Sequence, residues 1–366
     1  MIIRTPLNTL LGYGNCGANI AYNLSKLDPN LYLSVIGNNP YFTNDKFKVI
    51  LQCRDLNQFN KNDTCVTVWH EHQLIENHIG RGKYIGLPFF EINKLDPFRL
   101  AHLNYPDIII SSSTWMYYVL KNHGIDSVII HMGVDTSIFK PTFLPEFNSK
   151  SQEKRINAQI GNSCRNEEND KYKFFNIGKI EIRKGHDLLH KAFKVAFPTE
   201  KDVELNIFWE SPVISPQEVI AWTTEYKDIL GDRVVFHKNT PTDLEFAAKI
   251  NMLDCGVFPT RSEGFGMPIL QSMACNKPVI TTNYSAIADF CNENTSHIVN
   301  IDSFEPAYDG KYFHGQGTWA TINFDELVER LRYCYRHRII SNKAGLEMAK
   351  SMTWENTCNE IWKLNE

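Results

Sequence analysis

The chain has 366 residues, 43% of them hydrophobic and 22% charged, the profile of an ordinary soluble globular protein, and its length suggests two domains. A formal net charge of −4 leaves no basic footprint, which argues against nucleic acid as a partner. A local basic patch stays compatible with a diphosphate, or with a peripheral contact at an anionic membrane face. Nine cysteines at scattered spacings, with no CxxC pair, read as reduced thiols of a cytoplasmic protein rather than as a disulfide framework or zinc site. The opening Met1–Pro6 reads as a short first strand and not a secretion leader, and no apolar run reaches the ~18–20 residues of a spanning helix.

Short β-rich runs alternate with helical patterns in two blocks. In the first, Leu31–Ile36, Cys65–Trp69, Tyr84–Leu87, Ile108–Ser111 and Val128–His131 read as strands. Ile20, Leu24 and Leu27 suit a helix after Gly17, and Trp115–Asn122 suits another, entered by Ser113 or Thr114 as cap. Residues 146–171 carry almost no large apolar side chains and read as a linker with a surface excursion. In the second block the strands are Phe174–Ile177, Leu205–Trp209, Val234–Phe236, Cys255–Phe258 and Val279–Thr281. The helices between and after them are Asp187–Phe197, Pro216–Leu230, Asp243–Ile250, Met267–Cys275 and Phe324–His337. Such alternation predicts two parallel sheets covered by helices, with ligands at the carboxyl ends of the strands.

Three segments carry chemistry. Gly12-Tyr13-Gly14-Asn15-Cys16-Gly17 lies between a strand and a helix, where glycines allow close approach of phosphate to backbone amides. A tight turn without a ligand fits it equally well. A dinucleotide site also needs an acidic residue ~20 positions on; Gly37, Asn38 and Asn39 stand there instead, which disfavours NAD. The second segment, Asn176 to Asp187, is a strand, a turn at Gly178, and a cationic helix entry; taken alone it reads first as a solvated basic turn, and otherwise as a place where Lys179 and Lys184 both face a diphosphate. The third runs from Pro259 to Ile280. Glu263 follows a buried strand, placed to accept hydrogen bonds from sugar hydroxyls, while Gly264, Phe265, Gly266 and Met267 expose amides beside it. Pro268 suits the first helical turn, and Gln271 projects from the same face as Met267, within reach of a ribose.

Together these runs closely resemble the retaining, GT-B fold glycosyltransferases known as family four, whose pattern is G-R-x-x-x-x-K-G followed about eighty residues later by E-G-F-G-x-P-x-x-E-A-M-A-x-G-x-P-V-I. Further segments resemble the same family: His131-Met132-Gly133-Val134-Asp135 through Pro141 leaving the first domain, Ser112–Trp115 at a helix entry, Phe89-Phe90-Glu91, and the terminal Trp354-Glu355-Asn356-Thr357. The resemblance implies an α/β fold of two Rossmann-like doubly wound domains facing across a cleft. The acceptor-side domain would span 1–145, the nucleotide-sugar domain 172–351, and a returning helix 352–366 would cross back to the first domain.

It also implies roles. Lys184 would neutralise the donor's diphosphate, with Lys179 beside it in place of the family's usual arginine, losing bidentate geometry. Glu263 would hold sugar hydroxyls near the reacting carbon. Gly12, Tyr13 and Gly14 would lie near phosphate and acceptor, and Gly178 would form the turn. Gln271 replaces a glutamate that binds ribose, which puts donor affinity or nucleotide identity in doubt. A first-domain histidine near the sugar would be His70 in preference to His72, which share one side of a strand; Glu91 is a further acceptor-side candidate. No metal or cofactor is implied. The partners are a nucleotide-sugar substrate, UDP-sugar or GDP-sugar, and a sugar, glycan, lipid or protein acceptor. The rivals are a sugar-nucleotide epimerase or hydrolase of the same fold, a non-catalytic nucleotide-sugar binder, and an NAD oxidoreductase.

Overall fold

The computed structural model describes residues 1–37, 40–54, 59–142, 171–209, 214–238 and 242–365. Most of the expected linker, with Asn38, Asn39 and Cys164, lies outside the described residues. The first lobe is built on β1 (Ile2–Thr5), β2 (Tyr32–Val35), β3 (Cys65–His70), β4 (Tyr84–Phe89), β5 (Ile108–Ser111) and β6 (Val128–Ile129). They form one sheet in the order β2-β1-β3-β4-β5-β6, all parallel. The second lobe uses β7 (Tyr172–Ile177), β8 (Val203–Phe208), β9 (Val234–His237), β10 (Cys255–Phe258), β11 (Val279–Thr282) and β12 (His297–Val299). Its order is β12-β11-β10-β7-β8-β9, again all parallel. Strands such as β4 and β10 are buried at every position, as expected where helices cover both faces.

Strand order reverses between β1 and β3 in one sheet and between β7 and β10 in the other. A crevice opens at the carboxyl ends of the strands at such a switch point. On the first lobe, Tyr13 stands in the first turn of the helix that follows β1, and His70 is the last residue of β3. The loops leaving β7 and β10 carry Gly178 to Lys184 and Pro259 to Glu263.

Helix α1 (Gly12–Leu27) corrects the reading of the first glycine run. Gly12, Tyr13 and Gly14 are the first turn of the helix, not a loop before it; the loop is 6–11. A Cβ on Gly14 would lie 2.0 Å from the Asn8 carbonyl oxygen, and one on Gly17 would lie 1.9 Å from Thr5 Oγ1. These glycines let the helix press onto the backbone that enters it. Gly12, by contrast, has open space around the missing Cβ.

Helices α2 (Pro97–Leu103) and α3 (Thr114–Asn122) complete the first lobe, the latter capped by Ser113, whose hydroxyl accepts from the Met116 amide. The second lobe adds α4 (His186–Ala196), α5 (Pro216–Leu230), α6 (Asp243–Asn251), α7 (Met267–Ala274), α8 (Phe324–Arg336) and α9 (Lys343–Ser351). The chain then returns: α10 (Trp354–Lys363) packs on α1, with Thr357 donating to the His131 carbonyl at 2.7 Å and Cys358 to that of Ile20 at 3.6 Å. Gly133 makes this crossing possible, since a Cβ there would sit 2.2 Å from the Trp354 nitrogen.

Helices α2 and α9 and strand β12 have no counterpart in the sequence expectations, and neither has the segment that follows β12. Between β12 and α8 the chain forms an antiparallel ribbon, β13 (Ile301–Tyr308) and β14 (His314–Ile322), separate from both sheets. The expected strand 128–131 shortens to two residues, after which His131 turns away to meet Asp289 of the second lobe. No helix among the described residues is long and apolar enough to cross a membrane.

Candidate active site

Gly178 ends β7 with φ +146°, and a Cβ there would meet the Lys184 stem at 2.9 Å. The lysine therefore lies across the turn, and Gly185, in the left-handed region at φ +75°, starts α4 directly behind it. From the end of β10, Glu263 comes to meet it. Lys184 Nζ donates to Glu263 Oε1 at 2.7 Å, Thr260 Oγ1 donates to the same oxygen at 3.1 Å, and the Arg183 guanidinium donates to Oε2 at 3.2 Å. The loop is fixed from behind, where the Glu263 amide donates to Ser285 Oγ at 2.7 Å. Burial pushes the Glu263 carboxyl up, but Lys184 and Arg183 outweigh it and hold the group below its ordinary value.

The centre of this cluster is a residue that the sequence reading passed over. Arg183 is buried, and besides Glu263 it donates to the Ser262 carbonyl at 2.6 Å and to Glu181 Oε1 at 2.6 Å. It also faces Glu91 of the first lobe at 3.8 Å. Glu181 in turn pairs with Lys179 at 3.3 Å, so both sequence-predicted lysines stand in one cluster, each held by a carboxylate. Against burial, Arg183 foremost and then Lys179 and Lys184 draw the Glu181 carboxyl down to about 2. The sequence holds no usable signal for Arg183, which lies in a single 3-10 turn, Ile182–Lys184, and meets Glu263 and Glu91 from distant segments.

The glycine-rich run after Glu263 faces the other lobe. Gly264 lies against Phe89 and Phe90, where a Cβ would be in contact at 3.4 Å, and its carbonyl accepts from Ser112 Oγ at 2.9 Å. Phe265 is buried against Phe290. Gly266, at φ +87°, caps α7 where a Cβ would strike Ile287 at 2.3 Å. Met267 and Gln271 share one helix face, as expected, and line a small cavity between the lobes with Asn15, Asn19, Asp135 and Asp243. Gln271 is itself buried.

On the first lobe, the Tyr13 hydroxyl donates to the Phe89 carbonyl at 2.9 Å and stands 3.0 Å from His70 Nδ1. With the single phenol proton committed to Phe89, Nδ1 of His70 is the donor of that pair and Nε2 keeps its lone pair. Burial lowers His70 to about 4, so the ring is neutral at physiological pH. His72 stacks on it with ring centroids 5.2 Å apart, but β3 ends at His70 and His72 lies in the turn beyond, so the two meet through that turn and not by alternation along a continuing strand. Their neighbour Glu71 is buried and accepts from Arg99 Nε at 2.8 Å. His70, Glu71 and His72 approach one another as metal ligands do, but a cation there would compete with that guanidinium for Glu71. Glu91 follows β4; burial raises its carboxyl, Arg183 opposes the rise, and Glu263 reinforces it.

Two doubly wound lobes joined by a returning helix, with cationic turns and a carboxylate facing the crevice, define the GT-B architecture. Residues 163–302 match the family described as "Glycosyl transferases group 1". Two solved structures share the fold across nearly the whole chain. HepE of Anabaena in complex with UDP-glucose has a TM-score of 0.70 and 13% identity, covering 99% of this chain and 98% of that one. Sucrose-phosphate synthase from Thermosynechococcus elongatus has a TM-score of 0.68 and 15% identity, covering 99% and 97%. Among curated proteins, D-inositol 3-phosphate glycosyltransferase of Arthrobacter sp. (strain FB24) is 26% identical over 43% of this chain and 34% of its own length. The protein of that name from Mycobacterium bovis is 23% identical over 69% and 47%. The matches thus span a third to a half of these relatives' length.

Proposed function

We propose that the protein transfers a sugar from a nucleoside-diphosphate sugar to an acceptor hydroxyl with retention of anomeric configuration, in the cytoplasm. The observation that carries this reading is the Lys184–Glu263 pair, 2.7 Å apart at the carboxyl ends of β7 and β10. Without ligand, each group satisfies the other. An entering donor offers each a better-matched partner: the diphosphate takes the ammonium of Lys184, and a sugar hydroxyl donates to Glu263 Oε1. Arg183 and Thr260 keep the carboxylate in place during the exchange. Lys179 adds a second cation for the phosphates, and the Gly264–Met267 backbone lies beside the sugar.

The chemistry asked of these groups is positioning and charge stabilisation. As the C1–O bond to the β-phosphate breaks, its electron pair leaves with the nucleoside diphosphate, and Lys184 stabilises the new charge. The acceptor oxygen bonds to C1 on the same face, and its proton passes to the departing phosphate oxygen. Lysines supply the positive charge in this scheme, so EDTA should leave the rate unchanged. His70, His72 and Glu91 line the acceptor side, and the acceptor is a sugar, glycan, lipid or protein hydroxyl. UDP-glucose bound to HepE supports a UDP-sugar as donor.

A thermal-shift screen with UDP-, GDP- and ADP-sugars tests the reading, because a ligand at ~100 times its Kd adds about 2.7 kcal/mol to the folded state. Lys184→Ala should keep the fold and lose turnover by orders of magnitude; near-normal turnover would refute the role of Lys184. Gln271, an amide where a carboxylate is expected, favours one second reading, a nucleotide-sugar binder without transfer. Tight binding with neither transfer nor hydrolysis would establish that instead.

A further inference from the structure

The ribbon β13–β14 leaves the second lobe after β12 and rejoins it at α8, yet its buried face lies on the first lobe. Eight residues of β13 reach about 27 Å at ~3.4 Å each, enough to span the crevice. A two-stranded ribbon is marginal by itself and needs a partner surface. That surface is the segment after β4. Trp319, fully buried, packs with Ala307 and Ile92, flanked by Phe313 and Ile182, and its indole donates to the Glu91 carbonyl at 3.2 Å. Asn93 and Thr318 form a reciprocal pair: the Asn93 amide donates to Thr318 Oγ1, and the Thr318 amide to Asn93 Oδ1, both at 2.8 Å. Gly317, at φ +69°, makes this approach possible, because a Cβ there would lie 2.9 Å from the Lys94 nitrogen.

The other side of the ribbon is tied to the donor-side loops. Arg261 donates to Glu305 of β13 at 2.8 Å and holds Asp187 of α4 through two further bonds of 2.8 Å. The Ala320 amide donates to the Arg261 carbonyl at 3.2 Å. At the tip, Lys311 pairs with Glu218 at the start of α5, and the Tyr312 ring lies 5.5 Å from Lys179 Nζ. One element thus grips the loop next to Glu263 and the segment that begins with Glu91.

We propose that the β13–β14 ribbon is an interlobe strap that positions Glu91, holding its carboxylate against Arg183 and keeping the crevice closed before any ligand arrives. The Glu91–Arg183 pair, at 3.8 Å and without a hydrogen bond, is then a consequence of closure and not its cause.

Small-angle X-ray scattering on the full chain without nucleotide tests this, so the result does not depend on the transferase reading. A compact chain of 366 residues has a radius of gyration near ~21 Å. The double variant Asn93→Ala/Thr318→Ala should raise the radius by about 1 Å or more relative to wild type, with melting temperature little changed. Glu91→Gln should leave it closed. Trp319→Phe, which keeps the apolar packing and loses the indole donor, should fall between them and covers the case in which the double variant folds poorly. An unchanged radius in both strap variants, or opening by Glu91→Gln, would overturn the proposal.

Discussion

Arg183→Met removes the one guanidinium around which Glu181, Glu263 and Glu91 are gathered. Two independent routes give the magnitude. Removing one partner of a buried ion pair typically costs about 3–5 kcal/mol, because the other charge is left uncompensated. From the titration side, Glu181 is held at about 2 against an ordinary 4.5. At roughly 1.4 kcal/mol per pH unit, that separation is worth about 3 kcal/mol at neutral pH, with Arg183 its largest source among the cations. For 366 residues the unfolding entropy is about 0.77 kcal/mol/K, so ~3 kcal/mol lowers Tm by about 4 °C. The sign with pH is fixed as well. A carboxyl whose folded value is depressed contributes stability above its unfolded value and loses it as pH falls toward the folded one. The deficit of Arg183→Met, read by differential scanning calorimetry, should therefore narrow by roughly 40% between pH 7 and pH 3.5. Adding Glu181→Gln should recover part of it. A Tm within 1 °C of wild type at pH 7, or a deficit that widens in acid, would show that Arg183 does not organise the cluster.

Three other outcomes follow from the geometry. Gly14→Ala forces a Cβ to 2.0 Å from a backbone oxygen that cannot rotate away, and should cost at least about 1–3 kcal/mol in denaturant melts, whereas Gly12→Ala, in open space, should not. His186 is fully buried, and burial foremost, then Lys184, depress it to about 3. It favours the fold fully above an ordinary 6.5, and stability should fall by up to ~1.4 kcal/mol per unit as pH drops from there toward 3. His186→Gln should flatten that slope, and parallel slopes would count against it. His131 is raised by its hydrogen bond to Asp289 across the lobes. Its half-exposed pair contributes at most about 1 kcal/mol, fully present below pH 6.5 and lost as pH rises through the raised value, so the Tm penalty of Asp289→Asn should be larger at pH 6 than at pH 8.5.

The fold was legible where order along the chain determines order in space. Alternating runs such as Cys255–Phe258 followed by Met267–Cys275 can bury both of their faces only as strand and covering helix, and the structure gives Cys255–Phe258 and Met267–Ala274. The ribbon was not legible by that means. Its strands carry Asp302, Ser303, Glu305, Gly315 and Gln316, and only Ala307 and Trp319 are packed into the small cluster on Ile92. A face that small, completed by a segment more than two hundred positions away, leaves no period-two hydrophobic signal to read. The glycine run at α1 was ambiguous for a related reason. Glycine marks close approach of something, and the sequence does not say whether that is a phosphate or, as at Gly14, the chain's own Asn8.

The candidate site divides along the same line. Lys184 and Glu263 could be paired from sequence because each lies in the connection that follows one of the two adjacent strands, β7 and β10, at the switch point of one sheet. Arg183 could not be assigned a place, because its partners come from three segments, one of them on the other lobe. That arrangement carries its own argument about mechanism. A buried guanidinium with three carboxylates around it and two lysines beside it balances internally, three positive against three negative, only when the lobes are together. On the proposed function, a diphosphate would add negative charge and draw Lys184 away from Glu263, leaving Oε1 with Thr260 alone as donor when the donor's sugar arrives beside it. The hydroxyls of that sugar are the donors within reach. Specificity for a diphosphate that bears a sugar, over a bare nucleotide, would then arise from the same buried charges that the closed cleft brings together.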